Sequence, residues 1–421
     1  MTFPKVNEIT LNIFRRTAQA VLLACAFAML ADGAIQAATL TVTKTADTND
    51  GSCDQDCSLR EAIAAANPAG GDEIVFASPL FDTPQTVSLS PVAGFQALLI
   101  DKNLTIRGRG ANLLTVRRAP ETPNTFRFRI FEIGTATVSI SGLTVTGGNT
   151  AADAGGISGF GSTLTITDCH ITGNVADGRG GGIRNVQGGS LTVINSTVSN
   201  NISNSASPGG GGIHSENGSL TITNSTVSGN VKTGGTNNGG GIAAFFSTVV
   251  VSNSTVTNNR ADGANSAGGI YRQGNAATIR NTIIAANQNN NFTPDVFAVA
   301  PGTFTSDGFN LIGSAPSGTG FTDGVNQDKV GTFSSPLNPR LDALGNYGGT
   351  TPTHRLQSNS PALDQGHSGG STRDQRGSFR PADNINIVNA ANGDGSDIGA
   401  YEAEARLIVT STADTPTGTC D

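Results

Sequence analysis

Few residues of this sequence stand at positions and spacings suited to acid–base or cation chemistry. The string Gly-Gly-Ile ends at Ile157, Ile183, Ile213, Ile242 and Ile270, and the next residue is in turn Ser158, Arg184, His214, Ala243 and Tyr271. Arg184, His214 and Tyr271 therefore form a stripe expected to face outward, as an ordinary solvated face or as a contact for sugar or protein. Asp153 and Asp177 lie in the variable part of adjacent repeats, with Asp262 further on. Glycoside hydrolysis needs two or three carboxylates about 5–10 Å apart. Eliminative cleavage of an acidic polysaccharide needs a Lys or Arg base beside acids that hold calcium. Acids at equivalent positions of successive repeats would supply either, and the repeats contain almost none. His214 with Glu216 lacks a third partner to orient it, a poor basis for acid–base catalysis. The expectation is no catalytic residue, no metal and no cofactor, with a calcium-binding groove of Asp153, Asp177 and a nearby Arg as an alternative.

Two further groups could carry chemistry. Cys53 and Cys57 stand four apart, and the reading is a local disulfide, with a shared metal as the alternative. Asp374, Arg376, Arg380, Asp397 and Glu402 concentrate charge in a chain that is only 14% Asp, Glu, Lys and Arg. A salt-bridged cap over the last coil is the expectation rather than a catalytic cluster. Asn392–Asp397 (NGDGSD) hints at a calcium loop but misses the EF-hand spacing.

The rest of the composition bounds the elements that must position these residues. Ser, Thr, Asn and Gly replace the missing charge across 421 residues, which argues against a helix-rich chain. The net charge is −7 with no basic tract, which makes nucleic acid and anionic membranes poor candidates for partners. Polysaccharide and surface proteins remain. There is no Trp, and the chain has 3 Tyr and 19 Phe. Residues 1–37 read as a secretory signal: Lys5, Arg15 and Arg16, then an apolar run from Ala18 to Leu30 too short to span a bilayer, then small residues up to Ala37. A lipoprotein box at Leu22–Cys25 is the rival. No later segment is long and apolar enough to span a membrane.

The Gly-Gly-Ile steps are 26, 30, 29 and 28 residues. Each is followed by an alternating strand such as Leu-Thr-Ile-Thr from Leu164 or Leu220, then by Val/Ile-x-x-Asn ending at Asn174, Asn201, Asn230, Asn259 and Asn287. From Ile to Asn the distance is 17 or 18 residues, while Asn to the next Ile varies from 9 to 12. A fixed coil with one elastic loop is the pattern of a right-handed parallel β-helix, all-β, with three short strands per repeat stacked ~4.8 Å apart. Residues 74–312 would make roughly eight coils. Asp168, Asn195, Asn224, Asn253 and Asn281 fall between two strands and read as a stacked ladder. Cys169 aligns with Ser196, Ser225 and Ser254 and reads as a small buried residue. Ser58 and Glu61 form a capping box for a short helix that would lid the open end of the core.

CSLREAI (57–63), preceded by LTVTKTADTNDGSC (40–53), resembles the CSLREA-type N-terminal segment of bacterial surface proteins, placed here at residues 38–73. LIG (311–313), NYGGTTPTH (346–354), SPALDQG (360–366), DQRG (374–377) and DIGAYE (397–402) resemble the choice-of-anchor Q domain, over 313–402. The repeats resemble, more loosely, those of polymorphic outer-membrane proteins, with Val or Ile where that family has Phe. The resemblance implies a secreted β-helix displayed at a bacterial cell surface or outer membrane and no established enzymatic activity. LIVTSTADTPTGTCD (407–421) matches residues 40–54 at 10 of 15 positions, so residues 403–421 read as the start of a second module and the chain as a monomeric piece of a tandem array. Three functions follow: a structural or adhesive passenger that binds through its loops and long faces, a polysaccharide-degrading enzyme, and a mechanical spacer.

Overall fold

The structure is a computed structural model, and it describes residues 37–68, 70–91, 97–120, 125–289, 294–300 and 302–404. The signal segment up to residue 36 and the repeated string at 407–421 lie outside these residues.

One central coil shows the build. Ile183–Val186, Ser190–Ile194, Thr197–Ser199 and Ile202–Ser203 are four strands in succession. Each pairs in parallel with its equivalent in the next coil: Ile183 with Ile213, Leu191 with Leu220, Val198 with Val227, Ile202 with Val231. The result is a parallel solenoid of about eight turns with sheets of eight, ten, ten and six strands, numbered first to fourth in chain order within a coil. This is the right-handed parallel β-helix that the period implies, with one more strand per coil than the repeat shows. The fourth strand forms because Ile202, just past the ladder asparagine, donates its N–H to the Asn174 carbonyl of the preceding coil at 2.8 Å. The pairing also runs past 74–312, from Thr39–Val42 beside Asp72–Phe76 to Leu311–Ile312 beside Lys329–Val330.

Alternation sets the core. In Ser190–Ile194 and Ser219–Thr223 the Leu, Val and Ile side chains at 191, 193, 220 and 222 are fully buried, and the Ser and Thr between them are half-exposed. Burying each such side chain contributes roughly 1.5–3 kcal/mol. Stacked coils repeat that gain where a single coil could not.

The stacked ladder expected at Asp168, Asn195, Asn224, Asn253 and Asn281 lies six residues further on. Asn174, Asn201, Asn230, Asn259 and Asn287 are all but inaccessible. Each donates Nδ2 and its backbone N–H to the Oδ1 of its successor at 2.8–3.1 Å, ending at Asp295. The inward bend leaves these groups no water, so each coil must satisfy the last. The earlier row instead holds the left-handed bend between the second and third sheets, with φ from 44° to 51°, which Asn and Asp tolerate. It has a coil-to-coil amide bond at Asn281 Nδ2 to Asn253 Oδ1, 2.8 Å. The residues after these bends make a second inner row: the N–H groups of Cys169, Ser196 and Ser225 donate to the hydroxyls of Ser196, Ser225 and Ser254. The Cys169 thiol is pushed up to about 12 by burial, which makes it inert.

At the start of the solenoid, Leu59–Ala65 is a helix capped by Ser58 and Glu61 in a reciprocal box. Its Leu59, Ala62 and Ile63 join Val42 and Ile74 in the core. Cys53 and Cys57 are joined in a disulfide just before it. Burial pushes the Glu61 carboxyl up, yet N–H and hydroxyl donors from Ser58, Thr48 and Asp50 hold it at about 2. No helix among the described residues is long and apolar enough to cross a membrane.

Candidate functional site

The loop face is built by the elastic segments, which fold back over the first sheet instead of projecting away. Gly210, Gly239 and Ala267 pair in parallel from coil to coil, and a Cβ at Gly239 would overlap the Ile242 carbonyl. The stripe after Gly-Gly-Ile is therefore roofed. It was expected at the solvent, but His214, Ala243 and Tyr271 are inaccessible and Ser158 nearly so, and only Arg184 keeps part of its side chain exposed. His214 tilts against Phe245 at 5.5 Å, Phe245 against Tyr271 at 5.3 Å, and Tyr271 stacks on Phe297 at 6.0 Å. Tyr271 is part of an apolar seam, and burial pushes its hydroxyl up to about 12.

Asp153, Arg184 and His214 come together through two residues the sequence did not single out as a set. Arg184 Nε lies 2.9 Å from Asp153 Oδ2. Arg179 lies 3.5 Å from Asp153 and 2.9 Å from Glu216, and His214 Nε2 faces Glu216 Oε2 at 3.4 Å. Burial lowers the His214 pKa, so the ring is neutral at pH 7. Glu216 is held at about 2, first by its bond to His214 and further by Arg179. Asp177 belongs to a different pair, with Arg127 Nη1 at 2.5 Å, and that pair pulls its carboxyl below the usual range. The two aspartates of the calcium alternative are thus bound by different arginines. Among the described residues no group of three or more His, Cys, Asp or Glu could hold a metal ion. In NGDGSD, Asp394 accepts from Ser368 and Ser396 and builds a turn.

The C-terminal charges do not close the end of the last coil. Their segment runs back along the side of the solenoid and covers the third sheet. Gln375 donates to Thr197 Oγ1 at 2.9 Å and accepts from Thr226 Oγ1 at 2.6 Å. Ser228 bonds His354 Nε2 at 2.8 Å. His354 Nδ1 meets the Asp342 carbonyl, so Nδ1 donates and Nε2 accepts. Leu356, Leu363 and Ile398 pack on Ile283 and Leu311. The bend row supplies the seam: Thr351 donates to the Asn195 carbonyl, and Asn224, Asn253 and Asn281 donate to the carbonyls of Arg373, Ser368 and Asp397 at 3.0–3.1 Å.

This segment has little regular structure, and its buried charges replace it. Arg376 pairs with Asp374 and Arg380 with Glu402, each at 2.8 Å. The carboxylates also accept backbone N–H groups: Arg376, Ser378 and Glu402 on Asp374, Ala382 and Asp397 on Glu402, Asp364 and Ala403 on Asp397. Such charge-assisted bonds are stronger than neutral ones. Burial, reinforced by the Glu402 charge, holds Asp397 well above the usual carboxylate range.

No family model matches the chain, and no curated protein matches it. Among solved structures, the crystal structure of pectate lyase Pel9A is similar over 88% of this chain and 97% of its own, at 16% identity and a TM-score of 0.47. Geobacillus virus E2 ORF18 is similar over 73% and 66%, at 13% identity and a TM-score of 0.25.

Proposed function

We propose that this chain is a non-enzymatic, exported β-helix that presents its faces to polysaccharide or protein partners at a bacterial surface. What carries the reading is the state of the ionisable groups on the loop face. Asp153, Asp177 and Glu216 are each bound by arginine, and His214 is sealed under the loop. A general acid or base must reach the proton it moves, and a buried imidazole cannot meet an external polymer. The Cys53–Cys57 disulfide fits export, and the CSLREA-like and anchor-like strings fit surface display.

The test is incubation of the full chain with neutral and acidic polysaccharides, with calcium or with chelator. New reducing ends and unsaturated products are followed, alongside migration in gels containing each polymer. The expected result is retardation by a polymer without products. Calcium-dependent products that vanish in Asp153→Asn or Arg184→Lys would overturn the reading in favour of a degrading enzyme. A protein neither retarded nor active would favour the spacer.

A further inference from the structure

The side-lying C-terminal segment encloses a groove of about 890 Å³, within the roughly 300–1,000 Å³ of small-molecule clefts. Two of the chain's three tyrosines form its wall. Tyr347 and Tyr401 meet edge to face at 6.3 Å. The Arg376 guanidinium lies 3.7 Å from the Tyr401 ring centre, and Arg355 lies 5.0 Å from that of Tyr347. Tyr401 is nearly buried while the Tyr347 ring is half-exposed, its hydroxyl donating to the Ala343 carbonyl. Leu356 and Leu363, both nearly buried, form its floor. On the rim stand Gln357, Ser358 and Asn359, all exposed, and the half-buried Asn384.

Charge at this groove is matched within the protein. Arg355 is held by Asp342 at 2.7 Å, and Arg376 is buried against Asp374. Glu404 is the remaining acid of the lining. Nothing here selects a polyanion. The rim groups are amides and a hydroxyl: Gln357 gives Nε2 to the Leu341 carbonyl and Asp342, and Asn384 Oδ1 accepts from Asn386, which leaves Gln357 Oε1, Asn384 Nδ2, Asn359 and the Ser358 hydroxyl to offer both donors and acceptors. Beside them the half-exposed Tyr347 ring, backed by the nearly buried Tyr401, offers an apolar face with a polar edge. A ligand with C–H faces and many hydroxyls, each also donor and acceptor, has the matching chemistry. We infer that the groove between Tyr347, Arg355 and Asn384 binds an uncharged oligosaccharide. The inference rests on the non-enzymatic binding reading above and gives that reading a site and a ligand class.

The experiment titrates the full chain with soluble neutral oligosaccharides (β-1,4-glucan, α-1,4-glucan, xylan and mannan fragments) and with oligogalacturonate, by calorimetry. Three variants are compared: Gln357→Ala with Asn359→Ala, Tyr347→Ala and Tyr347→Phe, each checked by its melting temperature. The rim pair is exposed, so that double variant keeps the fold even if Tyr347→Ala does not. Expected is binding of a neutral fragment that weakens at least tenfold in the rim double variant and in Tyr347→Ala, and survives in Tyr347→Phe. Three results would overturn the groove: no neutral fragment bound, binding unchanged in the rim variant, or binding of the galacturonate alone with steep salt dependence. Cleavage products in the same mixtures would instead overturn the non-enzymatic reading, so the two failures are told apart.

Discussion

Asn224 and Asn230 stand six residues apart in one coil, and each has a counterpart in the coils on either side. Asn230 takes two N–H donors from Asn201 on Oδ1 and gives its own Nδ2 to the Val198 carbonyl and to Asn259, all at 2.9–3.0 Å. Asn224 turns the backbone through φ 46° and gives its amide to Arg373, 149 residues away. The same side chain thus binds coil to coil inside and, outside, ties the solenoid to the side-lying C-terminal segment, the strap. What separates the two roles is which side of the bend the side chain falls on. Inside, the partners are a translated copy of itself and a strand carbonyl of the preceding coil. Outside, the partner can be any segment that carries free carbonyls.

The sharpest way to break the inner row is Asn230→Ala. It leaves the Asn201 N–H and amide, the Val198 carbonyl and the Asn259 Oδ1 buried and short of a partner. At roughly 1–3 kcal/mol for each buried group left unpaired, the loss should be about 5 kcal/mol, read by chemical denaturation. The row ends differently from how it runs, on Asp295. Burial pushes that carboxyl to about 7, despite donors from Asn287 and Ser314. The folded state therefore keeps a proton that the unfolded chain loses near pH 4. Stability falls as pH rises from about 4 to 7, and the full penalty, on the order of 4 kcal/mol, stands above 7. Because other carboxyls titrate too, the observable is a difference: Asp295→Asn should gain on the parent chain as pH rises, most of it between 4 and 7.

How much of this was legible follows from how local each signal is. The coil period, the inside–outside alternation and the Ser58–Glu61 capping box each live within one repeat or one turn, and the chain displays them directly. Arg184, His214 and Tyr271 do alternate outward, but what lies over them comes from a loop of variable length, which no period reports. The strap over the third sheet is joined to it across more than a hundred residues. One trace was present: Ile283 and Ile284 are adjacent in a strand, and both cannot face one core. Ile283 packs instead under the strap with Leu356 and Ile398. The ladder was misplaced for a related reason. Both asparagine rows repeat with the coil, and periodicity alone does not say which row turns inward.

Asn224→Gly is the matched break of the outer row, and its effect should be the smallest. Glycine keeps the left-handed bend without strain, so the variant isolates the bond to the strap from the bend itself. The Asn224 amide gives one hydrogen bond to the Arg373 carbonyl and a longer one to Ser371 Oγ at 3.4 Å, together about 1 kcal/mol, and the Asn195, Asn253 and Asn281 contacts remain. Global unfolding should shift by no more than that. The local readout is amide exchange near Arg373, which should quicken while the N–H of Asn201, bonded to Asn230 Oδ1, keeps its protection. If instead Asn224→Gly costs as much as Asn230→Ala, the strap is part of the same cooperative unit as the core, and the division between the two rows is one of geometry and not of energy.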